Sequence, residues 1–316
     1  MTMMKLPTIA MIALGLSAGA GSATTVVSLT ASSFGGGGCG AGGEASETFT
    51  FSDNTPEQIM NEVYPGAFSV PVRVNFGAEN CTASTGTYGV RGALGVEGRV
   101  ENSNTGGDNV GVFSRAELRS EDIFVTRSDG INNETGDADI TIRPNLIVSG
   151  TAFDSNGGSS AFLSASFTLV GRDQFGNISG ITDTINVSSF TDPIFGPIPV
   201  FLDQFEITEF VIDPSQALTL DLSLRGSASA RRNSEPVGIA WFDSFNSLSF
   251  NPDGPAFFLP DGYTVNAPSL GIFDNKWIDP RISVVDPMPS AVPLPASALL
   301  LLAGMGGLVS LRKRKA

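Results

Sequence analysis

The chain has 316 residues, with 37 Gly, 22 Phe, no His, and 32 acidic against 18 basic side chains, giving a formal net charge of −14. Without histidine there is no Ser-His-Asp or Cys-His catalysis, no His-ligated zinc, and not the commonest general base near neutral pH; carboxylate chemistry is not excluded, and an all-carboxylate glycosidase stays formally open. Lys5, Arg312, Lys313, Arg314 and Lys315 lie at the two ends, so the body carries 13 cations against 32 acids, which repels nucleic acid and keeps an exported protein soluble.

The N-terminus, "MTMMKLPTIAMIALGLSAGAGSATT", places one cation before an apolar stretch from Leu6 to Leu16 and then small residues. This order reads as a cleaved export signal over residues 1–23, with cleavage at Ala18-Gly19-Ala20 or after Ala23. The apolar run is short for a membrane span. Export implies an oxidising compartment, where the two cysteines, Cys39 and Cys81, most simply form one disulfide. "FGGGGCGAGG" around Cys39 lacks the Lys and the strand–helix setting that phosphate binding requires.

Thr55-Pro56-Glu57-Gln58 combines an N-cap residue, Pro at the first helical position and Gln at the capping-box position, predicting one short helix with Ile59, Met60 and Val63 on a face. Most of the rest reads as strand. "FLSASFTLVG" alternates through Leu163, Ala165, Phe167 and Leu169. "ALTLDLSLRGSASA" puts Leu218, Leu220, Leu222 and Leu224 on one face, with Thr219, Asp221 and Ser223 on the other. "DADITIRPNLIVSGTAFD", "VFLDQFEITEFVID" and "GIAWFDSFNSLSF" continue the pattern, separated by Gly, Asn, Asp and Pro clusters. The expected fold is all-β, an antiparallel β-sandwich of jelly-roll type over residues 24–279.

Candidate chemistry in the body is thin. Asp129, Asn132, Glu134, Asp137 and Asp139 cluster oxygen ligands around Gly, as a Ca²⁺ loop would, but without EF-hand spacing; a solvated acidic turn is the favoured reading, and no metal or cofactor is expected. Glu206 with Glu209, and Asp137 with Asp139, are carboxylate pairs of the sort any acidic β surface presents. Carbohydrate binding by an exported sandwich commonly uses exposed aromatic rings. By its place before the Pro-rich linker of residues 280–291, Trp277 is the ring expected nearest solvent, although a lid over the sandwich edge is the favoured reading for it.

The last 25 residues, "VPLPASALLLLAGMGGLVSLRKRKA", have three physical parts. Val292-Pro293-Leu294-Pro295-Ala296 cannot form regular helix. Residues 296–311 are mostly apolar and would span roughly 24 Å as a transmembrane helix. The cluster Arg312, Lys313, Arg314 and Lys315 favours a cytoplasmic end. This order over residues 292–316 resembles the PEP-CTERM class of bacterial sorting signals, in its VPLPA-type variant, with Leu294 where the broader class has Glu. The resemblance implies an exported cell-surface or extracellular-matrix protein, not an enzyme, whose Pro motif is read by an exosortase-like transpeptidase at the membrane. Extracellular polysaccharide is a further partner on this reading. A secreted carbohydrate- or calcium-binding module held by a plain membrane anchor is the alternative. Residues 240–275, with "SFNSLSF" and "GYTVN", also resemble a stretch near the end of exported β-sandwich proteins that bear this tail.

Overall fold

The computed structural model divides into two compact units, residues 1–280 and 281–316. It describes residues 24–35, 39, 42–52, 72–78, 81–103, 109–127, 139–155, 158–192, 196–198, 200–202, 205, 209–231 and 237–280, all in the first unit. The expected signal peptide, the helix at 55–63, the linker beyond Pro280, the transmembrane segment and the sorting tail lie outside these residues.

In chain order, β1 (Thr24–Gly35) and β2 (Glu44–Ser52) form a hairpin, and β3 (Val72–Ala78), β4 (Cys81–Val90) and β5 (Ala93–Asn102) form a meander. β6 (Asn109–Arg127) is followed by β7 (Ile140–Pro144), β8 (Leu146–Val148) and β9 (Gly150–Asp154). β10 (Ser160–Arg172) and β11 (Ile178–Ser188) make a long hairpin. β12 (Phe190–Asp192), β13 (Gly196–Ile198), β14 (Val200–Leu202) and β15 (Phe210–Ile212) lead to β16 (Leu218–Arg231) and β17 (Gly238–Phe250). β18 (Phe257–Phe258), β19 (Tyr263–Asn266), β20 (Ile272–Phe273) and β21 (Lys276–Trp277) complete the unit, with one 3₁₀ turn at Pro268–Leu270.

Two seven-stranded sheets dominate. The first runs β11-β10-β16-β6-β1-β2, with β19 added on β6; the second runs β14-β9-β17-β5-β4-β3, with β8 added on β17. Every pairing among the described strands is antiparallel. The described residues are all-β, with no α-helix among them.

Period-two burial explains why these segments pair as they do. Leu218, Leu220, Leu222 and Leu224 on β16 are at most 1% exposed, as are Leu163, Ala165, Phe167 and Leu169 on β10. Thr219, Asp221 and Ser223 point to the other face. On β17, Ala240, Phe242 and Ser244 face inward, while Ile239, Trp241 and Asp243 face outward. Phe242 sits directly opposite Gly98 in its own sheet. A Cβ on Gly98 would lie 2.4 Å from its ring, and a Cβ on Gly226 of the opposite sheet 2.2 Å from it. Two inward glycines thus make the gap that one phenyl ring fills, and the sheets close face to face around it.

The alternation changes phase once in β6. Ser114, Ala116, Leu118 and Ser120 are buried, and then Ile123 and Val125. The register against β16 shifts at the same place, between Leu218 and Leu220. This irregularity re-aims the end of β6, where Phe124–Arg127 pair with β19.

Below β6, the β4–β5 turn is locked to the C-terminal part of the unit. Arg91 is 3% exposed, and its Nη1 donates to the carbonyls of Ser52 at 2.8 Å, Ser269 at 3.0 Å and Pro268 at 3.3 Å. The guanidinium also lies 4.9 Å from the centre of the Phe51 ring. Trp277 Nε1 donates to the Arg91 carbonyl at 3.1 Å. Cys39 and Cys81, both buried, are joined by a disulfide with their Cα atoms 5.4 Å apart. Tight turns stand at residues 252–253 and at 261–262, the latter with Gly262 at φ 88°.

Two outcomes test this packing. Gly226→Leu, which drives carbon into the Phe242 ring, lowers stability by about 1–3 kcal/mol, and Phe242→Ala lowers it by about 3–5 kcal/mol. Combining Gly226→Ala with Phe242→Leu recovers part of the separate losses, because the smaller side chain vacates the space that the new methyl group needs; urea unfolding of the parent, these two single variants and the double variant measures the coupling. Cys39→Ser, which opens a 42-residue loop, costs at most about 4 kcal/mol on the chain-entropy estimate, read as a lower urea midpoint under non-reducing conditions that reductant reproduces in the parent.

Candidate functional site

The outward face of the second sheet carries the most chemically varied cluster among the described residues. Strand register sets it. Trp241 on β17 stands opposite Phe153 on β9 and Arg99 on β5, and Arg99 stands opposite Ser84 on β4. One row across four strands therefore reads Phe153, Trp241, Arg99, Ser84. The adjacent row reads Thr151, Asp243, Glu97, Gly86 by the same pairings. Aromatic and cationic groups line one row, and carboxylates the next.

Trp241 and Phe153 are each half-buried, their ring centres 5.5 Å apart and their planes 24° from parallel. This stack fixes the indole on its β9 side. On its β5 side lies a cleft of about 310 Å³, bounded by Trp241, Arg99, Ser84, Glu97 and Asp243 over a floor that includes Gly98. The Arg99 side chain is held by Glu101, with Nε donating to Oε1 at 2.9 Å, and keeps 57% of its surface exposed. A Cβ on Gly86 would lie only 2.8 Å from Glu97 Oε1. Glycine at that position leaves room for the carboxylate to lie across β4.

The outward face of the first sheet is different in kind. It is an array of Ser and Thr around a ladder of paired charges: Arg115 with Glu117, Arg225 with Glu117 at 3.4 Å, Arg119 with Glu121 at 2.9 Å, and Arg119 with Asp221 at 3.7 Å. A shallow depression of about 530 Å³ includes Val26, Ser28, Asp221, Ser223, Ser166 and Thr168. Burial raises the Asp221 carboxyl above the usual carboxylate range, with Arg119 pulling it down and Glu121 and Glu117 pushing it further up. The hydrogen bond to Glu121, followed by the charge of Asp221, raises Arg119 in turn. At the β10–β11 turn, the side chain of Asn177 chiefly, and the backbone amides of Asn177 and Phe175, hold Asp173 below its ordinary value.

The residues singled out from sequence fall unevenly. Val292, Pro293, Leu294, Pro295 and Ala296, and Arg312, Lys313, Arg314 and Lys315, lie outside the described residues, as do Asp129, Asn132, Glu134, Asp137 and Glu206. Asp139 accepts a hydrogen bond from the Gln174 amide at 2.9 Å, tying it to the β10–β11 turn. Glu209 is exposed ahead of β15. Among the described residues no group of three or more acidic or cysteine side chains could hold a metal ion. Trp277 is not an open ring: it is 4% exposed, and its indole N–H is bonded to Arg91. The half-open tryptophan is Trp241. Its position was readable from "GIAWFDSF", where Phe242 and Trp241 must point to opposite faces of one strand.

The chain matches no protein-family model, and comparison with curated proteins finds no significant match. Among the described residues no helix is long and apolar enough to cross a membrane.

Asp221 supplies a pH test. A carboxyl raised in the folded chain binds its proton more tightly there than in the unfolded chain, so its contribution is most favourable below its unfolded pKa and is lost as pH rises through the folded value. Asp221→Asn therefore raises the thermal midpoint at pH 7, and its advantage shrinks as the pH falls through the raised folded value and is gone below the unfolded one. A midpoint at pH 7 equal to or below that of the parent would show that the Arg119 pairing outweighs burial.

Proposed function

We propose that this chain is an exported, non-catalytic β-sandwich of the cell surface or extracellular matrix, delivered by its C-terminal VPLPA-type signal and processed by an exosortase-like enzyme. The observation that carries the reading is the order of Pro motif, apolar run and cation cluster over residues 292–316. The Cys39–Cys81 bridge supports it, since disulfides persist in oxidising compartments. So does the absence of histidine from a strongly acidic chain. The jelly-roll description of the sandwich draws support from the passages between sheets at β5–β6, β9–β10 and β16–β17.

A second reading, a secreted carbohydrate-binding module on a plain membrane anchor, is favoured by the Trp241 row on the outward face of the second sheet. The two readings differ in the fate of the tail. Intact mass and C-terminal peptide mapping of the protein recovered from cells and from medium separates them. Delivery predicts loss of the residues after the Pro motif; a terminus retained through Ala316 and found only in membranes overturns it.

A further inference from the structure

We propose that the cleft beside Trp241 binds a short stretch of an uncharged glycan chain. The proposal rests on the carbohydrate-binding reading of the Trp241 row, whose ligand class it names, and is independent of how the tail is processed.

Four observations converge on this class of ligand. The indole is clamped by Phe153 on one side and borders an open cleft on the other. The C–H face of a pyranose ring is apolar, with slightly positive hydrogens, and suits the negative face of an aromatic ring already held in place. Facing it are Glu97 and Asp243 as acceptors, Arg99 as a donor, and Ser84 as both. Neighbouring sugar hydroxyls each donate and accept, so a mixed set serves them better than a set of one sign. The cleft volume, about 310 Å³, is at the lower end of the range for small-molecule sites and admits part of a chain rather than a large compact ligand.

Charge narrows the class. Among the described residues that line the cleft, Arg99 is the one cation, and it is paired with Glu101. With a chain charge of −14, a polyanion is repelled at long range. An uncharged polymer does not meet this barrier. The groups stand on β4, β5, β9 and β17, which hydrogen-bond as one sheet, so little ordering is needed when ligand arrives. The row Phe153–Trp241–Arg99–Ser84 crosses three strand spacings, roughly 14 Å, giving an extended chain a direction to follow.

The experiment uses the full chain in detergent, titrated with cellohexaose, laminarihexaose, mannohexaose and a β-galactan, with polygalacturonate as the anionic comparison. Calorimetry and tryptophan emission are read together; Trp277, buried, serves as the fixed emitter while Trp241 responds. At least one uncharged glycan binds with a Kd below about 1 mM, equivalent to a few kcal/mol. Trp241→Ala weakens that binding tenfold or more, and Arg99→Ala weakens it several-fold. Ser84→Trp, at an exposed position on β4, fills the cleft and abolishes binding while the melting curve stays that of the parent. This last variant decides the matter if Trp241→Ala does not fold. The proposal is overturned if none of the four glycans binds, if polygalacturonate binds more tightly than all of them, or if Ser84→Trp binds as the parent does.

Discussion

The seat of Phe242 between Gly98 and Gly226 is the constraint on which the rest of the molecule depends. The Phe242 ring enters the sandwich core where two inward positions give up their side chains, Gly98 beside it in its own sheet and Gly226 in the other. Once the ring is seated, β17 cannot slip by one residue without moving Phe242 into solvent and Trp241 and Asp243 into the core. Such a slip would bury a carboxylate among apolar side chains, at a cost of several kcal/mol. One buried contact therefore sets sheet spacing, strand register and the composition of the outer face together.

A second lock acts at the edge of that core. Arg91 brings an always-charged group inside, which is tolerable because three carbonyls and the Phe51 ring surround it. These acceptors come from the end of β2 and from the 3₁₀ turn, so one side chain joins the first hairpin to the last loops. Gly92 follows at φ 72°, and a Cβ there would lie 2.5 Å from the indole nitrogen of Trp277. The same indole closes the arrangement by donating to the Arg91 carbonyl. Burial of Trp277 is thus a consequence of holding the turn, and its nearness in sequence to the linker says nothing of its exposure.

What could be read from sequence follows from how cleanly each strand alternates. β10 and β16 carry apolar residues at every second position over most of their length, and their burial follows that pattern. β4 and β5 hide theirs. Gly86, Gly89, Gly92, Gly95 and Gly98 recur every third residue across the hairpin and mask a period of two. Their reason is spatial and long-range: a Cβ on Gly95 would overlap the Tyr88 ring, one on Gly89 would meet Val27, and one on Gly98 meets Phe242. A residue that is absent to make room for another strand's side chain leaves no local signal. The phase change in β6 is hidden for a similar reason, since it depends on the partners of β6 in β16 and β19. The Trp241 row needed both alternation, which is local, and the order β9-β17-β5-β4, which is not.

The two outer faces then divide according to what lies beside their charges. On the first sheet, Arg115, Arg119 and Arg225 are matched by Glu117, Glu121 and Asp221 within the same face, and the surrounding Ser and Thr are served by water. A ligand there would have to replace ion pairs and hydration with nothing apolar gained. On the second sheet, Glu97 and Asp243 adjoin an aromatic surface that water serves poorly, so covering that surface releases water. The difference traces to one strand: β16 presents Thr219, Asp221, Ser223 and Arg225 outward, whereas β17 presents Ile239, Trp241 and Asp243. The same alternation that builds the core from inward residues selects, from the outward ones, which face is solvated and which is able to recognise an uncharged polymer.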